Sequence, residues 1–131
     1  MIEIGMKNSV ESKVTHSNTA KSIGSGSLDV FATPAMIALI EKAATELIQR
    51  ELDSNQTSVG ISVNIDHKSP TPIGLTVRAE VEIVAIDGKK IKFNARVFDS
   101  VNEIGSGSHA RFIVDSKKFQ MKADSKTITQ V

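Results

Sequence analysis

Residues 33–52 read TPAMIALIEKAATELIQREL and contain the clearest helix pattern of the sequence. We predict a helix from about Pro34 to Leu52, because proline suits the first helical turn, where its missing N–H is not needed. Thr33 is then expected to be the N-cap, with its hydroxyl accepting from a backbone N–H. The apolar residues at helical spacing, which should form the buried stripe, are Ile37, Ile40, Ala44, Leu47 and Ile48.

Strand patterns surround this helix. Residues 8–16 predict a short strand before it, and Asp87–Gly88 predicts a hairpin turn after it. Apolar and polar residues alternate in four later runs, within 59–65, 75–83, 91–97 and about 107–114. Each such strand should bury one face only. Because one helix is available to cover those faces, we predict an α+β hotdog fold, in which a curved antiparallel β-sheet is wrapped around one central α-helix.

Length and composition fit one small domain, which we expect to span residues 1–131 with a loose polar tail over about 118–131. The open edge of such a sheet is a liability, so we expect a homodimer or a higher homo-oligomer. A net charge of +1, no Trp and no Tyr argue against nucleic-acid binding. The absence of cysteine excludes thiolate chemistry and disulfides. With no signal peptide and no membrane span visible, a soluble cytoplasmic protein is expected.

The string IGSGS occurs twice, at Ile23–Ser27 and at Ile104–Ser108. Backbone N–H groups of such segments can cradle phosphate. The plainer interpretation is that both are flexible connectors, and neither is followed by the lysine of a nucleotide-binding loop.

Two residues of the predicted helix are candidates for chemistry. A helix N-terminus polarises a carbonyl and stabilises an oxyanion, so Thr33 could position substrate or water, or attack as a nucleophile, although simple capping would also explain it. Glu41 lies at the margin of the buried stripe. A carboxylate beside apolar surface can act as a general base, although a surface glutamate fits the pattern equally well.

His67 is the third candidate, because it continues the parity of Val63 and Ile65 and should face the helix. A structural histidine is the alternative. His109 has the opposite parity to Ala110, Phe112 and Val114, and we therefore expect it to face away from the helix. Asp66 and His67 have no further ligands clustered near them, so no metal site is predicted.

Four blocks of the sequence resemble the fluoroacetyl-CoA thioesterase-like family of hotdog-fold thioesterases. They are VFATPAMIALIEKAA (30–44), VGISVNIDHKSPTPIG (59–74), IDGKKIKF (86–93) and GSGSHARFIV (105–114). The resemblance covers about residues 8–115 and implies acyl-CoA hydrolysis at a site near a subunit interface. It departs from the family pattern at Ala110, where relatives often have glutamate.

The resemblance also implies the site residues. The family's catalytic threonine, glutamate and histidine match Thr33, Glu41 and His67. Val30, Phe31, Gly74 and Arg111 are expected to bind the substrate, a small or medium acyl-CoA, with no cofactor. Selectivity for a fluorinated acyl group does not carry over. The alternatives are a non-catalytic acyl-CoA-binding module, a hotdog hydratase or dehydratase, and a structural interaction domain.

Overall fold

The computed structural model describes residues 1–128, in which one five-stranded sheet packs against one long helix. The elements in chain order are β1 (Lys7–Lys13), α1 (Ala20–Ile23), α2 (Thr33–Gln49), β2 (Gln56–His67), β3 (Thr76–Asp87), β4 (Lys90–Phe98), β5 (Glu103–Asp115), α3 (Ser116–Asp124) and a 3-10 turn (Ser125–Ile128).

The sheet has the strand order β1-β3-β4-β5-β2, and every neighbouring pair is antiparallel. The predicted hairpin joins β3 to β4, with Asp87 paired to Lys90 and Gly88 at a φ of +59°. Such a left-handed turn residue favours glycine. The two edge strands are therefore β1 and β2, and β2 follows directly after the long helix.

Helix α2 supplies the centre of the hydrophobic core. Its start differs from the prediction: Ala32 is the N-cap residue, and Thr33 is the first helical residue and makes no capping hydrogen bond. Ile37 is only partly buried, because the buried stripe is centred one residue earlier than expected. The helix residues that are buried are Met36, Leu39, Ile40, Ala43, Ala44, Leu47 and Ile48.

A β-bulge divides β2. Gly60 pairs with Arg111 while Ser62 pairs with Ala110, so Ile61 is the extra residue. A bulge reverses the side-chain alternation, and the unbroken alternation predicted from Val59 to Ile65 is therefore wrong. Val63, Ile65 and His67 share the helix-facing side of the sheet, whereas Val59 lies on the outer side.

Strand β5 has the opposite orientation to the one predicted. His109 and Arg111 are buried on the helix side with exposures of 1% and 6%, whereas Phe112 is 39% exposed on the outer side. The prediction failed because it placed the apolar residues of this strand in the core, whereas the inner face of β5 carries the polar side chains of His109 and Arg111. The second IGSGS string lies within β5 and is not a connector. A Cβ at Gly107 would lie 2.0 Å from the backbone oxygen of Asn64, so close strand packing explains this glycine.

Two short helices border or overlap the segments expected to be loose, although only Ile23 of the first IGSGS string is helical. Helix α1 covers Ala20–Ile23, and Thr19 caps it by accepting from the Ser22 N–H. Helix α3 forms where the tail was predicted, and Asp115 caps it, although none of its residues is buried. Residues 129–131 of that predicted tail lie outside the described residues. Within residues 1–128, no helix has both the length and the apolar character needed to cross a bilayer.

Candidate active site

The hydroxyl of Thr33 and the imidazole of His67 form a hydrogen-bonded pair. Thr33 Oγ1 lies 2.7 Å from His67 Nδ1, although 34 residues separate them in the chain. Thr33 begins α2 and His67 ends β2, so the contact joins the tip of the helix to the end of an edge strand. The expected helix-facing orientation of His67 is thereby confirmed.

The second ring nitrogen of His67, Nε2, makes no hydrogen bond to the described residues. This nitrogen is nevertheless buried. Burial lowers the pKa of His67 below its usual value of 6.5, and a backbone contact with Ser69 acts in the opposite direction. The ring is therefore neutral at pH 7, a state that can accept a proton during a reaction.

A cavity of about 270 Å³ adjoins the Thr33–His67 pair. Val30 and Phe31, two of the predicted substrate-binding residues, line it together with Ser25 and Lys68. Gly74 is not among its lining residues. It lies ahead of β3 at a φ of +105°, and its N–H donates to the carbonyl of Val14.

Glu41 belongs to a second group of polar residues, further along α2. Its Oε2 lies 3.4 Å from Nη1 of Arg111, and the two side chains are 40% and 7% exposed. Nε of Arg111 donates to Ser58 Oγ at 2.8 Å, and Nη2 donates to the Ser58 carbonyl at 2.9 Å. Nη1 also lies 3.1 Å from His109 Nε2. We refer to Glu41, Arg111, His109 and Ser58 as the Glu41 group.

The buried guanidinium remains a cation that faces the carboxylate. Burial lowers the pKa of Arg111, and the negative charge of Glu41 acts in the opposite direction. Arginine nevertheless stays protonated in proteins. Arg111, expected to bind substrate, thus has its donors engaged by Ser58, His109 and Glu41. In this structure Arg111 binds the carboxylate of Glu41.

Gly60 allows this carboxylate to lie against β2. A Cβ built at Gly60 would lie 2.5 Å from Glu41 Oε2 and 3.3 Å from Arg111 Nη1. Real Cβ atoms essentially never approach other atoms so closely, so any larger residue would displace the carboxylate. Gly60 is therefore part of the geometry that fixes Glu41.

The Thr33–His67 pair and the Glu41 group are separate within one chain. Thr33 and Glu41 are eight residues apart on α2, which is about 12 Å along the helix axis. Glu41 hydrogen-bonds to Arg111 and has no hydrogen bond to Thr33 or His67 among the described residues. The structure thus brings two of the three predicted catalytic residues into contact and leaves the third in a different environment.

Comparisons with known proteins give the family. The profile of the family described as FlK, fluoroacetyl-CoA-specific thioesterase, matches residues 14–117. The curated fluoroacetyl-CoA thioesterase of Streptantibioticus cattleyicolor is 34% identical over 99 residues, which are 76% of this chain and 71% of that protein. The chain belongs to the fluoroacetyl-CoA-specific thioesterase family. The resemblance drawn from the four sequence blocks is confirmed.

Solved structures agree with this family assignment. A structure of the fluoroacetyl-CoA thioesterase FlK has a TM-score of 0.91 to this chain at 27% identity, covering 96% of this chain and 98% of that one. A hot-dog-like protein from Thermanaerovibrio acidaminovorans has a TM-score of 0.85 at 18% identity, covering 94% and 91% of the two chains. The second likeness concerns the fold alone. The predicted hotdog fold is confirmed.

Sequence reasoning missed two residues of this candidate site. Ser58 and His109 hold Arg111, but Ser58 directly precedes the predicted strand that begins at Val59, and His109 is predicted on the outer face. One signal was present in the sequence: His109 and Arg111 alternate along a strand and so share a face. That shared face alone does not tell which side of the sheet it occupies, so the orientation followed the apolar residues instead.

Proposed function

We propose that this protein hydrolyses small or medium acyl-CoA thioesters to the free acid and coenzyme A, with Thr33, Glu41 and His67 as its reacting residues. The observation that supports this most directly is the 2.7 Å hydrogen bond between Thr33 and His67 at the start of α2, in a chain of a thioesterase family. The adjoining cavity of about 270 Å³ suits a short acyl group.

The start of α2 supplies electrostatic stabilisation. The first turn of a helix carries backbone N–H groups without helical partners and a partial positive charge. A thioester carbonyl that points toward this turn becomes polarised, and its tetrahedral oxyanion is stabilised there. The hydroxyl of Thr33, held by His67, orients the substrate or the attacking water at the same point.

Glu41 supplies the base. In the water route, the oxygen of water bonds to the carbonyl carbon while Glu41 takes a proton from that water. The C–S bond then breaks, and the proton reaches the departing sulfur through His67, so that coenzyme A leaves as a thiol. In the covalent route, the carboxylate itself attacks, the same C–S bond breaks, and water then hydrolyses the anhydride. Both routes need a charged, well-held Glu41.

A homodimer brings the reacting residues together. Glu41 lies against Gly60, and His67 is seven residues further along β2, or about 23 Å of strand. Edge strand β2 exposes Ile61 (49%) and Val63 (38%). If two β2 edges pair antiparallel about an axis beside Ser62, His67 lies three positions, or about 10 Å, from Gly60 of the partner subunit. Each site then combines the Thr33–His67 pair of one subunit with Glu41 of its partner.

A thiol-release assay tests the activity directly. Purified protein is incubated with short, branched, aromatic and long acyl-CoA substrates, and free coenzyme A is measured with a thiol reagent. We expect catalytic release with at least one short or medium acyl group. Saturable binding without thiol release would contradict the proposal and favour a binding module. Loss of enoyl absorbance without free thiol would favour a hydratase.

A cytoplasmic location stays a prediction from the sequence.

A further inference from the structure

His109 is a buried histidine that the hydrolytic steps do not use. It is 1% exposed and lies in β5, where it pairs with Val63 on one side and with Phe93 on the other. Its ring stacks on Phe93, with 6.0 Å between the ring centroids and 23° between the planes. An imidazole with no exposure, packed on an aromatic ring, needs partners for both of its nitrogens.

The partners of the ring determine its tautomer. Nδ1 of His109 lies 2.9 Å from the backbone carbonyl of Ser62, which can only accept, so Nδ1 carries the hydrogen and donates it. Nε2 faces Nη1 of Arg111 at 3.1 Å, and a guanidinium can only donate. Nε2 is therefore the unprotonated acceptor, and the ring is neutral.

Burial and the neighbouring positive charge of Arg111 both favour the neutral ring. Burial lowers the pKa of His109, and the positive charge of Arg111 lowers it further, whereas the Ser62 contact and the charge of Glu41 act in the opposite direction. A protonated ring would direct an N–H at the guanidinium and lose the hydrogen bond to Nη1. The cationic form is thus disfavoured by geometry as well as by burial.

The hydrogen bonds of Arg111 show what the ring accomplishes. Ser58 accepts hydrogen bonds from Nε and Nη2 of the guanidinium, and Nε2 of His109 accepts one from Nη1. The remaining Nη1 hydrogen faces Glu41. The Ser62 carbonyl follows the β-bulge at Ile61, so the bulge fixes the ring, the ring helps to fix the guanidinium, and the guanidinium holds the carboxylate.

We propose that His109 is a positioning residue which, as the neutral Nδ1–H tautomer, holds Arg111 against the carboxylate of Glu41. The proposal rests on the proposed role of Glu41 in hydrolysis. Its consequence is that His109 controls the rate of the reaction without touching the substrate.

The tautomer can be measured without any assay of activity. Long-range ¹H–¹⁵N spectra of ¹⁵N-labelled protein report the protonation of each ring nitrogen, and variants His16→Gln and His67→Gln assign the three histidines. We expect His109 to show a protonated Nδ1 and a bare Nε2 at pH 7, and to take up a second proton only below the usual histidine pKa of 6.5. A ring protonated at Nε2 or a cationic ring at pH 7 would overturn the proposal, whatever the protein hydrolyses.

Kinetics then test the coupling to Arg111. His109→Phe keeps a ring against Phe93 but loses the acceptor, and should lower kcat by roughly 10- to 100-fold with little change in KM. His109→Gln can place its carbonyl oxygen near Nη1 and should recover most of that loss. In an Arg111→Met background, His109→Phe should have no further effect, because residues that act through one another are not additive.

Multiplicative losses in the double variant would contradict the proposal, as would equal activities of the Phe and Gln variants. Melting temperatures of all variants are measured alongside, so that a general loss of folding is recognised. Should His109→Phe fail to fold, His109→Asn replaces it: its shorter amide can still reach Ser62 but not Nη1, and its kcat should be at least about tenfold below that of His109→Gln.

Discussion

The hydroxyl of Thr33 at the start of α2 is hydrogen-bonded to the imidazole of His67 at the end of β2, with 2.7 Å between Oγ1 and Nδ1. The hydroxyl is not used to cap the helix, since Ala32 occupies the N-cap position. A threonine whose hydroxyl is withdrawn from capping and held by a histidine is available for substrate.

Replacement of Thr33 by valine should lower kcat by roughly 10- to 100-fold, since the shape of the side chain is retained and one hydrogen bond to the ring is lost. Thr33→Ser, which keeps the hydroxyl, is the matched control and should stay within a few-fold of wild type. The measurement is thiol release at saturating acyl-CoA. Because Thr33 makes no capping bond, the melting temperature of the valine variant should change little, and equal kcat values for both variants would count against a role for the hydroxyl.

Glu41→Gln should lower kcat by at least about 100-fold, the low end for removal of a general acid–base group. Glutamine has the same size but cannot accept a proton from water or attack the thioester. Glu46→Gln is the control, since Glu46 is exposed on the same helix, and it should retain wild-type turnover. His67→Ala should show a loss similar to that of Glu41→Gln. Near wild-type rates for both site variants with every acyl chain tested would show that Glu41 and His67 do not carry the reaction.

The helix and the hairpin could be predicted from the sequence because each depends on local chemistry. The apolar stripe of α2 and the Asp87–Gly88 turn are readable within a few residues. The orientation of β5 could not, because the period-two rule assigns apolar residues to the core, and this core contains a buried cation beside a carboxylate. The bulge at Ile61 is likewise invisible in an unbroken apolar alternation.

The candidate site was only partly accessible from the sequence for the same reason. The capping pattern indicated Thr33 at the start of the helix, and strand parity indicated that His67 faces the helix. The structure brings these two residues into contact. The partner of Glu41 depended on which face of β5 is buried, so Ser58 and His109 were missed. Side chains that are held by distant backbone groups, such as the Ser62 carbonyl, leave no local signal.

Gly60→Ala should lower kcat by about tenfold or more. The new Cβ would lie 2.5 Å from Glu41 Oε2, so the carboxylate would have to move, and it would also crowd Nη1 of Arg111. The change is made in a strand, where alanine is tolerated, so the protein should remain folded. Ser9→Ala, on exposed edge strand β1, controls for a strand substitution to alanine and should leave turnover unchanged. Unaltered kcat in the Gly60 variant would show that the contact between Gly60 and Glu41 has no catalytic consequence.

Stability should fall as the pH falls below about 6.5. The pKa values of His67 and His109 are both lowered, chiefly by burial, so the unfolded chain binds more protons than the folded chain below the usual histidine pKa. The free energy of unfolding therefore decreases from about pH 6.5 toward the folded-state pKa values. The lowered pKa values of Glu103, which accepts from Arg96, and of Asp115, which accepts from the Lys118 N–H, act at more acidic pH.

Urea unfolding at pH 7.5, 6.5 and 5.5 measures this dependence. A double variant, His67→Gln with His109→Gln, should have a flatter profile over this range, because neither position can take up a proton on unfolding. A wild-type protein whose stability is constant from pH 7.5 to 5.5, or a double variant with an unchanged slope, would contradict the assignment of neutral rings to His67 and His109.

A mixed dimer tests whether two subunits share each site. Glu41→Ala and His67→Ala chains are co-expressed with different affinity tags, and the heterodimer is isolated by two successive affinity steps. If each site combines Glu41 of one subunit with His67 of the other, one of the two sites in the heterodimer retains both residues. The heterodimer should then have about half of the wild-type rate per dimer, whereas either homodimer should be nearly inactive. If each chain supplied both residues to its own site, both sites of the heterodimer would be damaged and its rate would match the homodimers. Light scattering of the purified species provides the control, since a monomeric protein could not recover activity in this way.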